Sequence, residues 1–263
     1  MTAAFIGMPR VLLAIPVYNE ARSIDRVLGA VREYVRDVLV IDDGSTDETP
    51  AKLAAHPVEV IRHCTNRGYG RSMQDIFHAA DADGYGWVIT MDCDEQHSPS
   101  SIPDFLQAIR ADSADVVSGS RYLRTMAGDD DAPGGRREVN MTLTAEINAS
   151  LGSLPSASGA RLALGPGLTD AFCGFKAYRV ASLRCLRLDV DGYDFPLQFW
   201  VQAVAHGLRV DEIPVPRIYV DPNRSFGTGL DDPARRLALY RATFARELAH
   251  CEGRLRMAGK DLA

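Results

Sequence analysis

The 263-residue sequence predicts an α/β fold, in which a mostly parallel sheet is covered by helices on both faces. Short apolar runs alternate with segments of helical periodicity, as the βαβ crossovers of a parallel sheet require. The first run, 11–15, is apolar throughout, which is typical of strands buried on both faces. Polar loops follow several of these runs, at the carboxyl ends of strands, where open α/β sheets bind ligands.

The first part of the chain contains predicted strands with helical segments between them. Apolar and β-branched runs predict strands at 11–15, 38–41, 58–61 and 87–91. Helical spacing predicts a first helix over 24–35 and a second that follows Thr46 as its N-cap. A third predicted helix passes through 73–80 and follows a glycine loop at 66–70. Because the loops after the first, second and fourth strands are all acidic or polar, we expect them to meet at one edge of the sheet.

The remaining chain continues the alternation but adds longer loops. The predicted helices are 102–109, 136–151, 193–205 and a last one that begins with the acids before Pro233, and the predicted strands are 116–120 and 208–213. Segments rich in Gly, Pro, Ser or Asp predict loops at 127–135, 154–167 and 221–230. The segment 154–167 has the character of an insertion.

Composition narrows the class of protein. A formal net charge of −6 argues against a nucleic-acid partner. The apolar runs are far shorter than the ~20 residues of a transmembrane helix, and the first nine residues lack the pattern of a secretory signal. Five widely spaced cysteines favour neither a disulfide framework nor a structural zinc site, so we expect a reducing, cytoplasmic setting.

Two carboxylates follow the fourth predicted strand. Asp92 and Asp94 lie two residues apart, so both can turn towards one point just beyond the strand end. Paired hard oxygen ligands suit Mg²⁺ or Mn²⁺, which complete their shell with water and substrate phosphates. The pattern therefore predicts a metal–diphosphate site, and the alternative is an ordinary polar turn after a strand.

Six motifs occur in a fixed order along the chain: 16–20 (PVYNE), 42–47 (DDGSTD), 66–70 (NRGYG), 91–97 (MDCDEQH), 120–122 (SRY) and 170–175 (DAFCGF). This ordered set resembles glycosyltransferase family 2, and most of all its polyprenyl-phosphate (dolichyl-phosphate) hexosyltransferases. This resemblance implies a GT-A fold with a single Rossmann-like sheet. It also implies one domain over 1–263, with a nucleotide-sugar-binding half (8–122), an acceptor-side half (123–230) and a C-terminal helix (231–263).

The resemblance implies a role for each matching residue. The nucleotide-binding residues would be Pro16, Tyr18, Glu20, Asp43, Gly70 and Asp92. The metal ligands would be Asp92, Asp94 and Gln96. Asp94 would take part in catalysis, and the acceptor phosphate would be contacted by Arg121 and by Arg136 or Arg137, of which Arg137 is the first choice. The segment 170–175 would shape the acceptor side.

The implied reaction moves a hexose from a nucleotide-diphosphate sugar, of the GDP-mannose or UDP-glucose type, to a polyprenyl phosphate. A phosphate monoester is already ionised at neutral pH, so it needs positioning rather than a general base, and a single displacement inverts the anomeric centre. The expected partners are the sugar donor and a lipid-phosphate acceptor at the inner face of the cell membrane, where the protein would be peripheral. The alternatives are a soluble or protein acceptor, or nucleotide-sugar binding without turnover.

Several residues admit a plainer interpretation. Asp42 could cap the turn that follows it, and Gly68 and Gly70 could serve only a tight turn. His97 is either a metal ligand or a support for the ligands, or else it packs against the loop at Pro99. Cys93, Cys173, Phe199 and Trp200 are expected to pack in the core. The arginines of the last helix (235, 236, 241 and 246) form a solvated face or meet an anionic membrane. In the helix 193–205, Gln198 replaces a Glu that is frequent in relatives.

Overall fold

A computed structural model describes residues 8–126, 128–130, 134–151, 167–220 and 229–260. Its strands are β1 Val11–Val17, β2 Val38–Asp42, β3 Glu59–Arg62, β4 Trp87–Thr90, β5 Val116–Ser120, β6 Lys176–Arg179 and β7 Val210–Pro214. Its helices are α1 Ile24–Val31, α2 Thr49–Leu53, α3 Tyr69–Ala82, α4 Ile102–Ala111, α5 Gly134–Leu151, α6 Val180–Leu183, α7 Phe195–Ala205 and α8 Pro233–Lys260. A short 3₁₀ helix, Pro99–Ser101, precedes α4.

The strands form one seven-stranded sheet in the order β3-β2-β1-β4-β6-β5-β7. All neighbouring pairs are parallel except the two that β6 makes with β4 and β5. The prediction of a mostly parallel sheet is confirmed. The antiparallel β6 was not predicted as a strand, because its four residues carry no alternating pattern and its partners lie far away in the chain.

Helices cover both faces of this sheet, as predicted. In β1, Leu12 and Ala14 point into one apolar core with α3 and α5 to α8, whereas Leu13 and Ile15 point into the other with α1, α2 and α4. Because successive strand residues face opposite sides, a strand that serves two cores is apolar at every position. This explains the uninterrupted apolar run with which the sheet begins.

Several predicted boundaries need correction. The first helix ends at Val31 rather than at residue 35, and Thr46 does not cap the second, because its N–H donates to Asn19 Oδ1 and Glu48 holds the cap position. Helix α5 begins at Gly134, inside the predicted loop 127–135. A Cβ on Gly135 would lie 3.2 Å from Pro233 Cγ, so this glycine lets the starts of α5 and α8 pack closely.

Some predictions fall on residues that the structure does not describe. Most of the predicted insertion 154–167 and of the loop 221–230 lies outside the described residues. The division of the chain into 8–122, 123–230 and 231–263 stays a prediction. In the described ranges, no helix has the length and apolar character needed to cross a membrane.

The sheet order brings the polar loops together. Strands β2, β1 and β4 are neighbours and run in the same direction. Their carboxyl ends therefore place the loops 16–20, 42–47 and 91–97 side by side, as the sequence predicts.

Candidate active site

A large cleft lies along the carboxyl ends of these strands and reaches the helices α5, α7 and α8. Its volume is about 1450 Å³. Most residues to which the resemblance gives a role line this cleft, namely Pro16, Tyr18, Glu20, Asp43, Asp92, Asp94, Gln96, Arg121 and Arg136. The strand ends and the helices α5, α7 and α8 thus line one continuous cleft.

Gly70 and Arg137 do not line the cleft. The N–H of Gly70 donates to Asp191 O over 2.8 Å, and a Cβ there would come within 2.1 Å of Val190 O. Gly70 therefore serves close packing of two backbones, which supports its plainer interpretation. Arg137 is exposed, with its guanidinium 6.0 Å from the Tyr122 ring centroid. One helical residue turns the side chain by about 100°, so Arg136 faces the cleft and Arg137 does not.

The turn 91–97 holds the two acids in a defined geometry. The N–H of Gln96 donates to Asp94 Oδ1 over 3.1 Å, and Glu95 adopts a left-handed conformation with φ of 63°. Opposite the turn, a Cβ on Gly174 would lie 2.7 Å from Asp92 Oδ2. The absence of a side chain at this position gives the Asp92 carboxylate room beside the backbone of residue 174.

His97 packs against this turn and is bonded to its backbone. Its Nδ1 accepts the backbone N–H of Asp92 over 2.9 Å. Burial lowers the pKa of His97 to about 4, so the ring is neutral at physiological pH and carries its proton on Nε2. The ring also packs 5.3 Å from the centroid of Phe175. Because Nδ1 is occupied and the ring is buried, these contacts suit a support for the acids better than a metal ligand.

The donor groups in the cleft fit a divalent cation shared with a ligand. The side chains of Asp92, Asp94 and Gln96 are partly exposed to the cleft. In the described ranges, no three His, Cys, Asp or Glu side chains converge as in a closed metal cage. A cation here would therefore complete its shell with water and the oxygens of a diphosphate, which is usual for Mg²⁺.

Asp43 holds a second part of the cleft wall. Its Oδ1 accepts the N–H of Arg67 and its Oδ2 that of Gly68, each over 2.8 Å. His63 Nδ1 lies 2.6 Å from Asp43 Oδ1, and its Nε2 lies 2.9 Å from Asp75 Oδ2. This chain of contacts fixes the loop 66–68 against the end of β2. No pattern in the sequence marks His63, which lies buried behind the wall.

The loops after β1 and β2 are also bonded to each other. Asn19 has φ of 58°, and its Oδ1 accepts the N–H of Thr46 over 2.8 Å. The N–H of Glu20 donates to Thr49 Oγ1 over 2.8 Å. Asp42 accepts the N–H of Ser45 over 2.9 Å, which confirms that it caps its turn. These contacts tie the loops 16–20 and 42–47 into one rigid wall.

A buried ion pair joins the end of β5 to the segment 170–175. Arg121 donates from Nε and Nη2 to the two oxygens of Asp170, over 2.7 and 2.9 Å, and Asn140 Nδ2 donates to Asp170 Oδ1 over 2.7 Å. Burial by itself raises the pKa of Asp170, but the charge and hydrogen bonds of Arg121 outweigh it and keep the pKa below its usual value. Arg121 therefore reaches the cleft with much of its charge already compensated.

The cleft has further lining residues that no motif indicated. Lys176 of β6 and Arg235, Arg236 and Tyr240 of α8 all line it. Arg236 is 4% exposed and donates to Leu230 O over 2.7 Å, so the expected solvated face is wrong for this residue. The only available signal for Lys176 was its position directly after the motif 170–175.

The residues expected to pack do so. Cys93, Cys173, Phe199 and Trp200 are buried, and Trp200 Nε1 donates to Ala171 O over 2.9 Å. Burial raises the pKa of Cys173 to about 11, so its thiol is not activated. Gln198 is buried outside the cleft lining, where its amide donates to Asp189 Oδ1 and Glu247 Oε2. Its replacement of Glu thus concerns packing between α7 and α8 rather than the cleft itself.

Known proteins are similar to this chain in sequence and in fold. A family model described as glycosyl transferase family 2 matches residues 13–187. The chain is 35% identical over 216 residues to the undecaprenyl-phosphate mannosyltransferase of Micrococcus luteus, covering 78% of this chain and 82% of that protein. It is 31% identical over 223 residues to the polyprenol monophosphomannose synthase of Mycolicibacterium smegmatis, covering 78% of this chain and 76% of that one.

A solved structure supports the fold alone. The glucosyl-3-phosphoglycerate synthase of Mycobacterium tuberculosis, in complex with Mn²⁺, UDP and glucosyl-3-phosphoglycerate, superimposes with a TM-score of 0.64 at 19% identity, over 93% of this chain and 80% of that one. This similarity confirms the predicted GT-A fold. With the family model matching most of the chain, this protein belongs to glycosyltransferase family 2 and is a glycosyltransferase.

Proposed function

We propose that the protein transfers a hexose, with inversion, from a nucleotide-diphosphate sugar to a polyprenyl phosphate with the help of a divalent cation. The observation that carries this proposal is one cleft lined by Asp92 and Asp94 at one side and by Arg121 and Arg136 at the other. The acids suit a cation on a donor diphosphate, and the arginines suit a second phosphate. The names of the relatives from Micrococcus luteus and Mycolicibacterium smegmatis favour a mannose donor and a polyprenyl-phosphate acceptor.

The donor would bind along the strand ends. Asp92, Asp94 and Gln96 would hold Mg²⁺ or Mn²⁺ against its diphosphate. The cation would neutralise the charge that grows on the leaving oxygen. The nucleoside would lie against the wall formed by Pro16, Tyr18, Glu20 and Asp43, with Asp43 also anchoring the loop 66–68.

The acceptor would attack from the arginine side. An oxygen of its phosphate forms a bond to C1 of the sugar while the bond from C1 to the diphosphate oxygen breaks, and the electron pair leaves with the nucleoside diphosphate. The ionised nucleophile has no proton to lose, so the chain supplies position and charge rather than a general base. A single displacement of this kind inverts the configuration at C1.

Radiolabelled transfer tests this proposal. The purified protein is incubated with Mg²⁺ or Mn²⁺, undecaprenyl phosphate and labelled GDP-mannose or UDP-glucose, and the product is extracted into organic solvent. We expect label in the lipid phase with an anomeric configuration opposite to that of the donor. Label confined to water-soluble products would overturn the lipid acceptor, and a product with the configuration of the donor would overturn the single displacement.

The acids provide a test of the cation site. Asp92→Asn and Asp94→Asn should each lower turnover by about 10²–10³-fold, because they remove charge from the point where the leaving group is stabilised. Both should also weaken Mn²⁺ binding measured by calorimetry. Asp104→Asn, on the exposed first turn of α4, is the matched control. Full turnover in both site variants would refute the proposed role of the acids.

The acceptor also suggests where the enzyme works. A polyprenyl phosphate is confined to the membrane, so the proposal includes peripheral association with its cytoplasmic face. Co-sedimentation with vesicles that contain anionic lipid measures this association, and a protein that stays entirely in the supernatant at low salt argues against it.

A further inference from the structure

The buried lysine of β6 has no role in the scheme so far. Lys176 is 4% exposed and lines the cleft. It pairs with Thr90 of β4 and Ser118 of β5, so its strand lies between the one that leads to Asp92 and the one that leads to Arg121. Lys176 therefore lies at the junction of the expected donor and acceptor sites.

The groups around Lys176 do not satisfy all the hydrogen-bond donors of its ammonium group. Nζ donates to Cys173 O and lies 5.5 Å from the Trp200 ring centroid. In the described part of the chain, no other hydrogen bond from Nζ is found, although an ammonium group has three N–H donors. A buried charge is costly unless it is paired, which indicates that an anion completes this site.

The nearby carboxylates are committed to other partners. Asp170 receives two hydrogen bonds from Arg121 and one from Asn140. Asp92 belongs to the proposed cation site. Burial lowers the pKa of Lys176, and Asp170 and Asp92 oppose that change while Arg121 adds to it. Asp170 already compensates the positive charge of Arg121. Lys176 therefore adds a positive charge to the cleft that Arg121 does not supply.

We propose that Lys176 contacts the phosphate of the acceptor and, with Arg121 and Arg136, holds it for attack on the sugar. This inference rests on the proposed function and adds a residue outside the motifs that indicated it. The role requires the ammonium form, which an anion beside Nζ favours, and it is to balance the charge of the nucleophile as it approaches the donor diphosphate. Without Lys176, the acceptor phosphate and the donor diphosphate would approach each other with less positive charge to offset their repulsion.

Kinetics with matched variants test the inference. The chain has three lysines, Lys52, Lys176 and Lys260. Lys176→Gln should lower kcat/KM for farnesyl phosphate by about 100-fold, with GDP-mannose as donor and the Kd for GDP little changed. Lys176→Arg, which keeps the charge, should recover part of this loss. Lys52→Gln, which removes a charge from a surface ion pair with Asp25, is the control.

The pattern of effects separates this role from a purely structural one. If Lys176 only compensates Asp92, then Lys176→Gln tightens Mn²⁺ binding and leaves the KM for farnesyl phosphate unchanged, which overturns the inference. A lower melting temperature with unchanged kinetics overturns it as well. If the wild-type enzyme transfers no sugar to any prenyl phosphate, the proposed function fails instead, so the two failures are distinguishable.

A measurement on the wild-type protein covers the case in which variants do not fold. Lysine labelled with ¹³C at Cε gives a separate NMR signal for each of the few lysines, and Lys176→Arg or Lys176→Met assigns the buried one. If neither variant yields folded protein, Lys52→Gln and removal of Lys260 assign the other two signals. We expect farnesyl phosphate, added with GDP and Mg²⁺, to shift the Lys176 signal and leave that of Lys52 in place. An unshifted Lys176 signal at saturating farnesyl phosphate overturns the contact.

Discussion

At the scale of single residues, the site depends on what lies behind the acids as much as on the acids themselves. His97 accepts the backbone N–H of Asp92, and Gly174 leaves room for its carboxylate. His97 does not line the cleft, and Gly174 has no side chain to offer a substrate. Both decide where the carboxylate points, and a displacement of about 1 Å at a reacting centre can cost roughly 100-fold in rate.

Gly174→Ala tests this dependence. The new Cβ would lie 2.7 Å from Asp92 Oδ2, so the carboxylate must move. We expect turnover to fall by about 10–100-fold, with weaker Mn²⁺ binding and little change in melting temperature. Gly29→Ala is the control, because its Cβ would meet nothing within 4 Å at an exposed position of α1, and it should stabilise the helix by about 0.5–1 kcal/mol. Unchanged turnover in Gly174→Ala would show that the carboxylate position is not critical.

At the scale of elements, the wall of the cleft is a set of loops joined by buried polar contacts. The side-chain contacts from Asp43 through His63 to Asp75 connect the ends of β2 and β3 with α3. Asp75 is also bonded to Arg71 one turn earlier in α3. The loop 66–68 therefore keeps its shape through residues that lie outside the cleft.

His63→Phe tests this connection. The phenyl ring fills the space but removes one partner each from the carboxylates of Asp43 and Asp75, and a hydrogen bond to a charged group contributes about 1.5–3 kcal/mol. We expect the KM for the sugar donor to rise about tenfold, which corresponds to about 1.4 kcal/mol, while the KM for the acceptor stays the same. His56→Gln is the control, since His56 meets Asp25 at the surface. Equal effects on both substrates would argue against a loop-specific role.

At the scale of the whole molecule, the end of the sheet opposite the cleft is stabilised by a charge cluster. Asp115, just before β5, accepts from Arg179 Nε and Arg209 Nε, each over 3.0 Å. These contacts join β5 to β6 and to the chain that leads into β7. Burial by itself raises the pKa of Asp115, but the hydrogen bonds and charges of Arg209 and Arg179 lower it to about 2.

Asp115→Asn should therefore lower stability but not activity. The pKa of Asp115 is lower in the folded state than its usual 3.8, so the stabilisation is present above pH 3.8 and is lost as the pH falls to about 2. We expect a loss of about 1–2 kcal/mol at neutral pH by urea unfolding, with a smaller difference from wild type in acid. Asp37→Asn, in the exposed pair with Arg10, should change stability by less than about 1 kcal/mol. A variant of Asp115 that is as stable as the wild type would refute the cluster's role.

The sequence by itself determined the parallel core of this protein and the acidic edge of its sheet. The apolar runs that become β1, β2 and β4 and the acidic loops that follow them are local patterns, and parallel strands necessarily bring such loops to one edge. Asp92 and Asp94 could therefore be placed at that edge before the fold was known, whereas Gln96 and Arg121 were added by the resemblance to a family. The ordered motifs then indicated the family.

Only the tertiary structure decided which other residues join that site. Lys176 reaches the cleft because β6 runs antiparallel between β4 and β5, which both lie far from it in the chain. Arg136 rather than Arg137 lines the cleft because successive residues of α5 face different directions. His63 and His97 act through contacts made behind the cleft. Local periodicity reveals which face of an element is apolar, but it contains no information about the distant partner against which that face packs.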